Sequence, residues 1–366
     1  MKAVTQQELA PPKTFSLKSI VLKATALAIA LVIASFLIFG IIAGWFGYRY
    51  LVQVADETDR TPKQLFQLAK KLSIVESRKT NPVFLILGSD AIAGRGDVPP
   101  LTDTILLVSL DLQSGTAHLL PLPRDIWSDA YKTKINALYA YGFERYPDEP
   151  ERFPKEVLEE MSNISIDFTV VIDMDSLSEL VTILGGVTVN VPNSFVDTLF
   201  PIPGVDVTIE QDPNKLYKTV AFAKGEESMS GERFLEFIRS RHSDSAEGTD
   251  LARSERQKLA IAAVLRAISD RLISQPSTLG KLFSFYETRF STAVPLEDIV
   301  AIGKALGEHA VTGLTIESAV LSIQSATESG VLAHPNIKMT NGTWLYQITN
   351  QELFQAEVNK ALDIQQ

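Results

Sequence analysis

Between Ile238 and Gln257 the chain reads IRSRHSDSAEGTDLARSERQ, which gathers Arg239, Arg241 and Arg253 with Asp250 and Gln257 around the opening of one expected helix. Guanidinium groups at a helix N-terminus suit a phosphate or diphosphate, because their planar fork and the positive end of the helix dipole both favour an anion there. The plain alternative is a solvated helix start, with Asp250 as an N-cap and Glu255 in a local ion pair. The spacing argues against it. Arg253 and Gln257 lie four apart and are followed at the same step by Ile261 and Leu265, so the polar pair continues an apolar stripe.

Asp90 and Asp103 form a second constellation. Two fixed carboxylates suit Mg²⁺, a hard cation that keeps several waters and shares its other ligands with substrate phosphate. Taken singly, each reads equally well as a loop cap. Beside an arginine cluster, a metal bridging diphosphate oxygens is the more economical account. The third is Pro121–Asp125 (PLPRD) with Lys134-Ile135-Asn136 beyond it. Here Arg124 can reach the same anion, or form a surface ion pair at a Pro-bounded turn. The four histidines, His118, His242, His309 and His334, show no ligand spacing, and no Ser/His/Asp order, Walker loop or G-x-G-x-x-G occurs.

The elements that must position these groups follow from pattern. Val83–Leu87 is a continuous apolar run, a buried strand stopped by Gly88-Ser89-Asp90. A Gly/Pro-rich loop leads to a second strand over Thr104–Leu110, and a turn at Gln113-Ser114-Gly115 returns the chain through a third, Ala117–Leu122. Antiparallel pairing of these neighbours puts Asp90, Asp103, Arg124 and Asp125 on one edge. Phe168–Ile172 and Val187–Val191 read as further strands around a helix closed by Gly185-Gly186. A helix capped by Ser230 delivers Arg239 and Arg241, and the next runs from about Leu251 with Ile261, Leu265, Ile268 and Leu272 as its core stripe. Alternating strands and helices predict a layered α/β/α domain around a mixed central sheet.

The chain has 366 residues, 45% of them apolar, with net charge −10 and no cysteine. Disulfides, zinc-thiolate sites and thiol nucleophiles are thereby excluded. An acidic chain without a basic face argues against a nucleic-acid partner. Residues 24–48 run ATALAIALVIASFLIFGIIAGWFGY without a charge, longer than the roughly 20 residues a bilayer core requires. Lysines precede this run and Trp45, Tyr48 and Tyr50 end it, so one transmembrane helix is expected, with a cytoplasmic N-terminus and the rest extracytoplasmic. A cleaved signal peptide is the competing reading. The expected organisation is a tail over 1–23, a membrane helix over 24–48, a helical stalk over 49–80, a catalytic domain over 81–275, and a C-terminal helix-and-strand part over 276–366 on the same domain.

Several separated segments together resemble the LytR-CpsA-Psr family of cell-envelope proteins. LILGSD is similar to its first aspartate motif and TDTILLVSLD to its second; LPLPRDIW followed by KINALYAYG resembles its PRD and KIN signature. DFTVVIDMDSLSELVTILGGVTVNVP resembles its central strand–helix–GGV segment, and MSGERFLEFIRSRHSDSAEGTDLARSERQ its closing arginine block. The resemblance implies a membrane-anchored phosphotransferase that moves a glycopolymer from a polyprenyl-diphosphate carrier onto peptidoglycan. It also implies Mg²⁺ on Asp90 and Asp103, diphosphate binding by Arg124, Arg239, Arg241 and Arg253, and a supporting hydrogen bond from Gln257. Asp250 would orient arginines or help deprotonate the acceptor. The family's arginines beside the two aspartates are replaced here by Ala91 and Leu101, and Arg95 in the loop stands in for them. A hydrolase using the same site and a non-enzymatic lipid-binding regulator are the alternatives.

Overall fold

In this computed structural model the described residues are 39–364 except 90–98, 203–204, 206–209, 211, 244, 291, 310–314, 326, 337, 339 and 341. A helix over residues 39–55 (α1) and Pro62–Leu72 (α2) precede β1 (Val83–Ser89), β2 (Thr102–Asp111) and β3 (Thr116–Leu122). Next come α3 (Leu138–Arg145), α4 (Arg152–Ser162), β4 (Phe168–Asp173), α5 (Met174–Ile183) and β5 (Val187–Val191). The chain continues through β6 (Phe195–Pro201), β7 (Tyr217–Phe222), β8 (Gly225–Met229), α6 (Gly231–Arg239) and α7 (Asp250–Ser274). Last are α8 (Pro276–Arg289), α9 (Leu296–Glu308), β9 (Thr315–Ser318) and α10 (Gln351–Ala361).

The central sheet has the order β9-β3-β2-β1-β4. β1, β2 and β3 pair antiparallel, as their short turns require, while β4 joins β1 and β9 joins β3 in parallel. The sheet is therefore mixed, as the pattern predicts. One face is buried: Leu85, Leu87, Leu107 and Leu120 pack with Leu138 of α3, Phe153 and Val157 of α4, and Phe354 and Val358 of α10. The other face presents Leu106, Val108 and Leu119 to Ile261 of α7, with Phe84 and Ile86 only partly buried. Helices lie on both sides, which gives the layered arrangement.

A second core builds outward from α7. It unites the β5/β8 and β6/β7 pairs with Phe234 and Phe237 of α6 and Val181 of α5. α5 ends where Gly185 and Gly186 adopt positive φ (68° and 94°), and their N–H groups donate to Thr182 O and Val181 O. The strands β6 to β8 escaped the sequence reading, although β6 alternates buried and exposed residues along its first half.

α1 and α2 pack beside α8, where Val54, Ala55 and Leu65 bury together against Leu279. Thr61 and Gln64 form a reciprocal cap at the start of α2. Arg60 makes two hydrogen bonds to Glu287 of α8, and the Ser284 hydroxyl donates to Glu57 O. Lys304 of α9 donates to Ser73 O and Val75 O. Of the expected membrane span, residues 24–38 lie outside the described ones. The remainder begins α1 with Phe39, Ile41, Trp45 and Phe46 exposed. Among the described residues no helix is long and apolar enough to cross a membrane.

Candidate functional site

The pairing register fixes one edge of the sheet. Ser89 at the end of β1 lies across from Thr102 at the start of β2, after a bulge at Gly88/Ser89. A side chain at Gly88 would meet the Thr104 Cβ at 2.8 Å, so glycine lets the two strands close up here. Asp173, at the end of β4, sits beside Ser89 on the same edge and caps α5 through Ser176 N. β3 ends there too, since Leu122 pairs with Ile105. Asp90 and Arg95 lie outside the described residues.

Arg124 follows directly from β3. Its Nη1 donates to Asp103 Oδ1 at 2.6 Å and its Nε stands 3.5 Å from Asp125 Oδ2. Lys134 Nζ donates to the other Asp125 oxygen at 2.5 Å. The backbone braces these groups. Asn136 N donates to Arg124 O, Ile135 N to Ile126 O, and the buried Thr102 hydroxyl to Asn136 O. The PRD and KIN segments thus form one unit. Burial disfavours the Arg124 charge, but Asp103 and Asp125 outweigh it and hold the guanidinium above its usual pKa. A half-buried carboxylate beside a held arginine offers oxygen donors of the kind Mg²⁺ takes. Among the described residues no group of three or more potential metal ligands comes together.

The arginine block is held from behind. α6 starts at its cap Ser230, buries Phe234, Phe237 and Ile238, and carries Arg239 in its last turn, 5.7 Å from the Phe200 ring. Arg241 is exposed, while its backbone is fixed from within. Asp197, 1% exposed on β6, accepts from Arg241 N at 2.9 Å, from His242 N at 3.2 Å and from Leu199 N at 3.0 Å. Arg256, also 1% exposed, donates to Ser240 O at 2.6 Å, to Glu247 O at 2.8 Å and to Glu247 Oε2 at 2.9 Å. It lies over the Phe195 ring at 4.8 Å. Burial pushes the Arg256 pKa down, opposed by Glu247 and Asp197.

The plain alternative for Asp250 and the expected core stripe of α7 both need correction. The N-cap is Thr249, which accepts from Ala252 N; Asp250 is the first helical residue, and its side chain lies outside the described residues. The buried line is Arg256, Ala260, Ala263 and Ala267, whereas Leu265 is 41% exposed. Small side chains let α7 close on β5, so alanines occupy the core stripe. Arg253, Gln257 and Ile261 form the neighbouring line, each partly buried, and Ile261 rests on Leu106, Val108 and Leu119. That line faces the sheet.

Both halves of the site lie at one end of the molecule. α5 leaves the strand edge from Asp173, β5 returns toward it, and Arg271 near the end of α7 donates to Gly186 O at the far turn. The start of α7 is held to the near end, where Asn193 donates to Glu247. From Ile261, Arg253 is about 12 Å nearer the start of α7. From Leu106, Asp103 is about 10 Å nearer the start of β2. Asp103 and Arg124 make direct contact; Arg239 stands in the last turn of α6, Arg241 two residues beyond it, and Arg253 and Gln257 in the first turns of α7.

Asp197 and Arg256 are residues that sequence reasoning passed over. Both had a signal. Asp197 alternates with the buried Phe195, and Arg256 heads the alanine line at helical spacing.

The LytR_cpsA_psr family profile matches residues 47–361. Polyisoprenyl-teichoic acid–peptidoglycan teichoic acid transferase TagV of Bacillus subtilis (strain 168) is 28% identical over 81% of this chain and 70% of its own length. The corresponding transferase TagU of the same organism is 23% identical over 76% of this chain and 80% of its own length. The crystal structure of B. subtilis TagV superposes with a TM-score of 0.52 at 22% identity, covering 79% of this chain and all of that one. Protein gbs0355 from Streptococcus agalactiae gives 0.53 at 21% identity over 80% and 93%. These likenesses run through the sheet and the arginine block alike: the chain belongs to the LytR-CpsA-Psr family.

Proposed function

We propose that this protein is an extracytoplasmic phosphotransferase that moves a glycopolymer from a polyprenyl-diphosphate carrier onto peptidoglycan. One observation carries the reading. Arg253 and Gln257 stand on the α7 line whose next member, Ile261, sits on the sheet, at the end of the molecule where Arg124 holds Asp103. An anion there meets guanidinium groups from three elements and the positive end of a 25-residue helix. The relatives named as teichoic acid transferases support the same donor and acceptor classes.

In this reading Arg239, Arg241, Arg253 and Arg124 bind the diphosphate and neutralise charge as it develops. Gln257 donates a further hydrogen bond. An acceptor sugar hydroxyl attacks the sugar-linked phosphorus, the bond to the distal bridging oxygen breaks, and polyprenyl phosphate leaves. Asp250 at the first turn of α7 takes the hydroxyl proton or orients an arginine. Asp103, with Asp90, would hold Mg²⁺, which would supply electrophilic neutralisation of the phosphate oxygens. The carrier's tail would lie along the partly buried apolar face formed by Phe84, Ile86, Leu110 and Ile316. The exposed apolar residues at the start of α1, together with the uncharged sequence before them, support an anchor that would bring the site to the donor's own bilayer.

The test uses the full chain in detergent with a polyprenyl-diphosphate-linked saccharide and peptidoglycan fragments. Saccharide should become covalently attached in the wild type, and not in Arg239→Ala or Arg241→Ala variants with unchanged melting. Undiminished attachment in either variant refutes the assignment, and release of sugar phosphate without acceptor marks a hydrolase.

A further inference from the structure

The C-terminal part contributes to the same edge, through residues that none of the recognised motifs includes. Tyr346 N donates to Asp125 O at 2.9 Å, and Trp127 N donates to Tyr346 O at 2.8 Å. These bonds form a parallel bridge between Ile126 and Tyr346. Trp344 lies two residues before Tyr346 on the side from which the chain enters this bridge, while Arg124 and Asp125 stand in a turn closed by Ile126 N donating to Pro123 O. Further along, Ile348 and Gln351 border a cavity with Met161 at the far end of α4. Trp344 is therefore two residues from the Tyr346–Asp125 contact, on the opposite side of it from Ile348 and Gln351.

Trp344 is 49% exposed, yet it is held in place. The His334 ring lies against it at 3.4 Å between centroids, tilted by 45°, and Tyr346 meets it edge-on at 6.3 Å. His334 Nδ1 is in turn 2.8 Å from Leu345 O. A rigid aromatic face left half open to water, two residues from a backbone contact with Asp125, is an unusual use of the largest apolar side chain.

We propose that Trp344, backed by His334 and Tyr346, is a saccharide subsite on which the apolar C–H face of a pyranose ring stacks. The proposal rests on the phosphotransferase reading above and adds to it the part of the chain that recognises sugar. The ring belongs either to the donor, as the sugar joined to the diphosphate, or to the acceptor glycan strand. The chemistry is common to both: a flat apolar sugar face on an indole, with the sugar hydroxyls turned outward to water and to the Asp125–Lys134 pair.

The experiment compares full-length wild type, Trp344→Ala and Trp344→Tyr in detergent. Binding is measured to polyprenyl diphosphate, to the same lipid carrying N-acetylglucosamine, and to soluble peptidoglycan glycan strands; transfer KM values are measured for donor and acceptor. Trp344→Ala should leave binding of the bare lipid unchanged. It should weaken the sugar-bearing lipid or the glycan strand by roughly tenfold, the scale of one aromatic contact. Trp344→Tyr should restore most of the loss. A donor-only effect assigns the subsite to the carrier sugar, and an acceptor-only effect to peptidoglycan. Equal weakening of the bare lipid, or no change with either saccharide, overturns the proposal. Wild-type protein that binds both sugars through Trp344 but transfers nothing overturns the phosphotransferase reading and not the subsite.

Discussion

Arg256 offers the sharpest quantitative test of how the arginine block is held. Replacing it with methionine removes three hydrogen bonds, to Ser240 O, Glu247 O and Glu247 Oε2, together with the contact over Phe195. Glu247 is itself largely buried, with 11% of its side chain exposed, so its carboxylate loses its cationic partner and keeps the bond from Asn193. Breaking a buried ion pair in this way costs about 3–5 kcal/mol, and the two carbonyls that lose partners place this case toward the upper end. In a domain of this size that corresponds to a fall in melting temperature of roughly 10 °C. The double variant Arg256→Met/Glu247→Gln removes the stranded charge and should recover at least about half of the loss. Thermal unfolding of wild type, Arg256→Met, Glu247→Gln and the double variant supplies the double-mutant cycle. Hydrogen exchange over residues 240–248 supplies the local readout, and the single variant should exchange faster there. A single variant melting within about 2 °C of wild type, or a double variant no better than the single, would refute the reasoning.

Other outcomes follow from the same geometry. A Cβ at Gly231 would meet Ser178 O at 2.3 Å, so Gly231→Ala should push α6 off α5 and cost about 1–3 kcal/mol in chemical denaturation, displacing Arg239 with it. Burial acts to raise the Glu236 pKa, but Lys218 and Arg233 prevail and hold it below its ordinary 4.5. With a depressed folded-state pKa, its contribution is present above pH 4.5 and lost as pH falls through the folded value. Wild type should therefore lose stability on acidification below about pH 4.5, and Glu236→Gln should flatten that limb of a pH–stability curve. Chelation of divalent cations should stop transfer. Asp103→Asn should raise the Mg²⁺ concentration needed for half-maximal rate by roughly tenfold or more, and an unchanged Mg²⁺ profile would remove Asp103 from the metal role.

The strand edge was legible because its determinants are local. Short apolar runs separated by tight turns leave antiparallel pairing as the economical arrangement, and that alone brings Asp103 to Arg124. The Arg239–Gln257 block was legible because residue type and helical spacing are both written in the chain. The face that α7 turns inward was misread by about one position. Hydropathy ranks Leu265 above Ala260, Ala263 and Ala267, whereas close approach to β5 rewards small side chains.

Composition and local spacing therefore determined the types of the elements around the central sheet, the excluded thiol chemistry and which residues are candidates to bind an anion. Only the tertiary structure decided what holds them. Asp197 reaches Arg241 across 44 residues, Arg256 closes the loop through backbone carbonyls, and Tyr346 pairs with Asp125 from more than two hundred residues away. Such contacts depend on which chain segments become neighbours after folding. Sequence periodicity records which side of an element is inward, not which distant backbone group it will meet there.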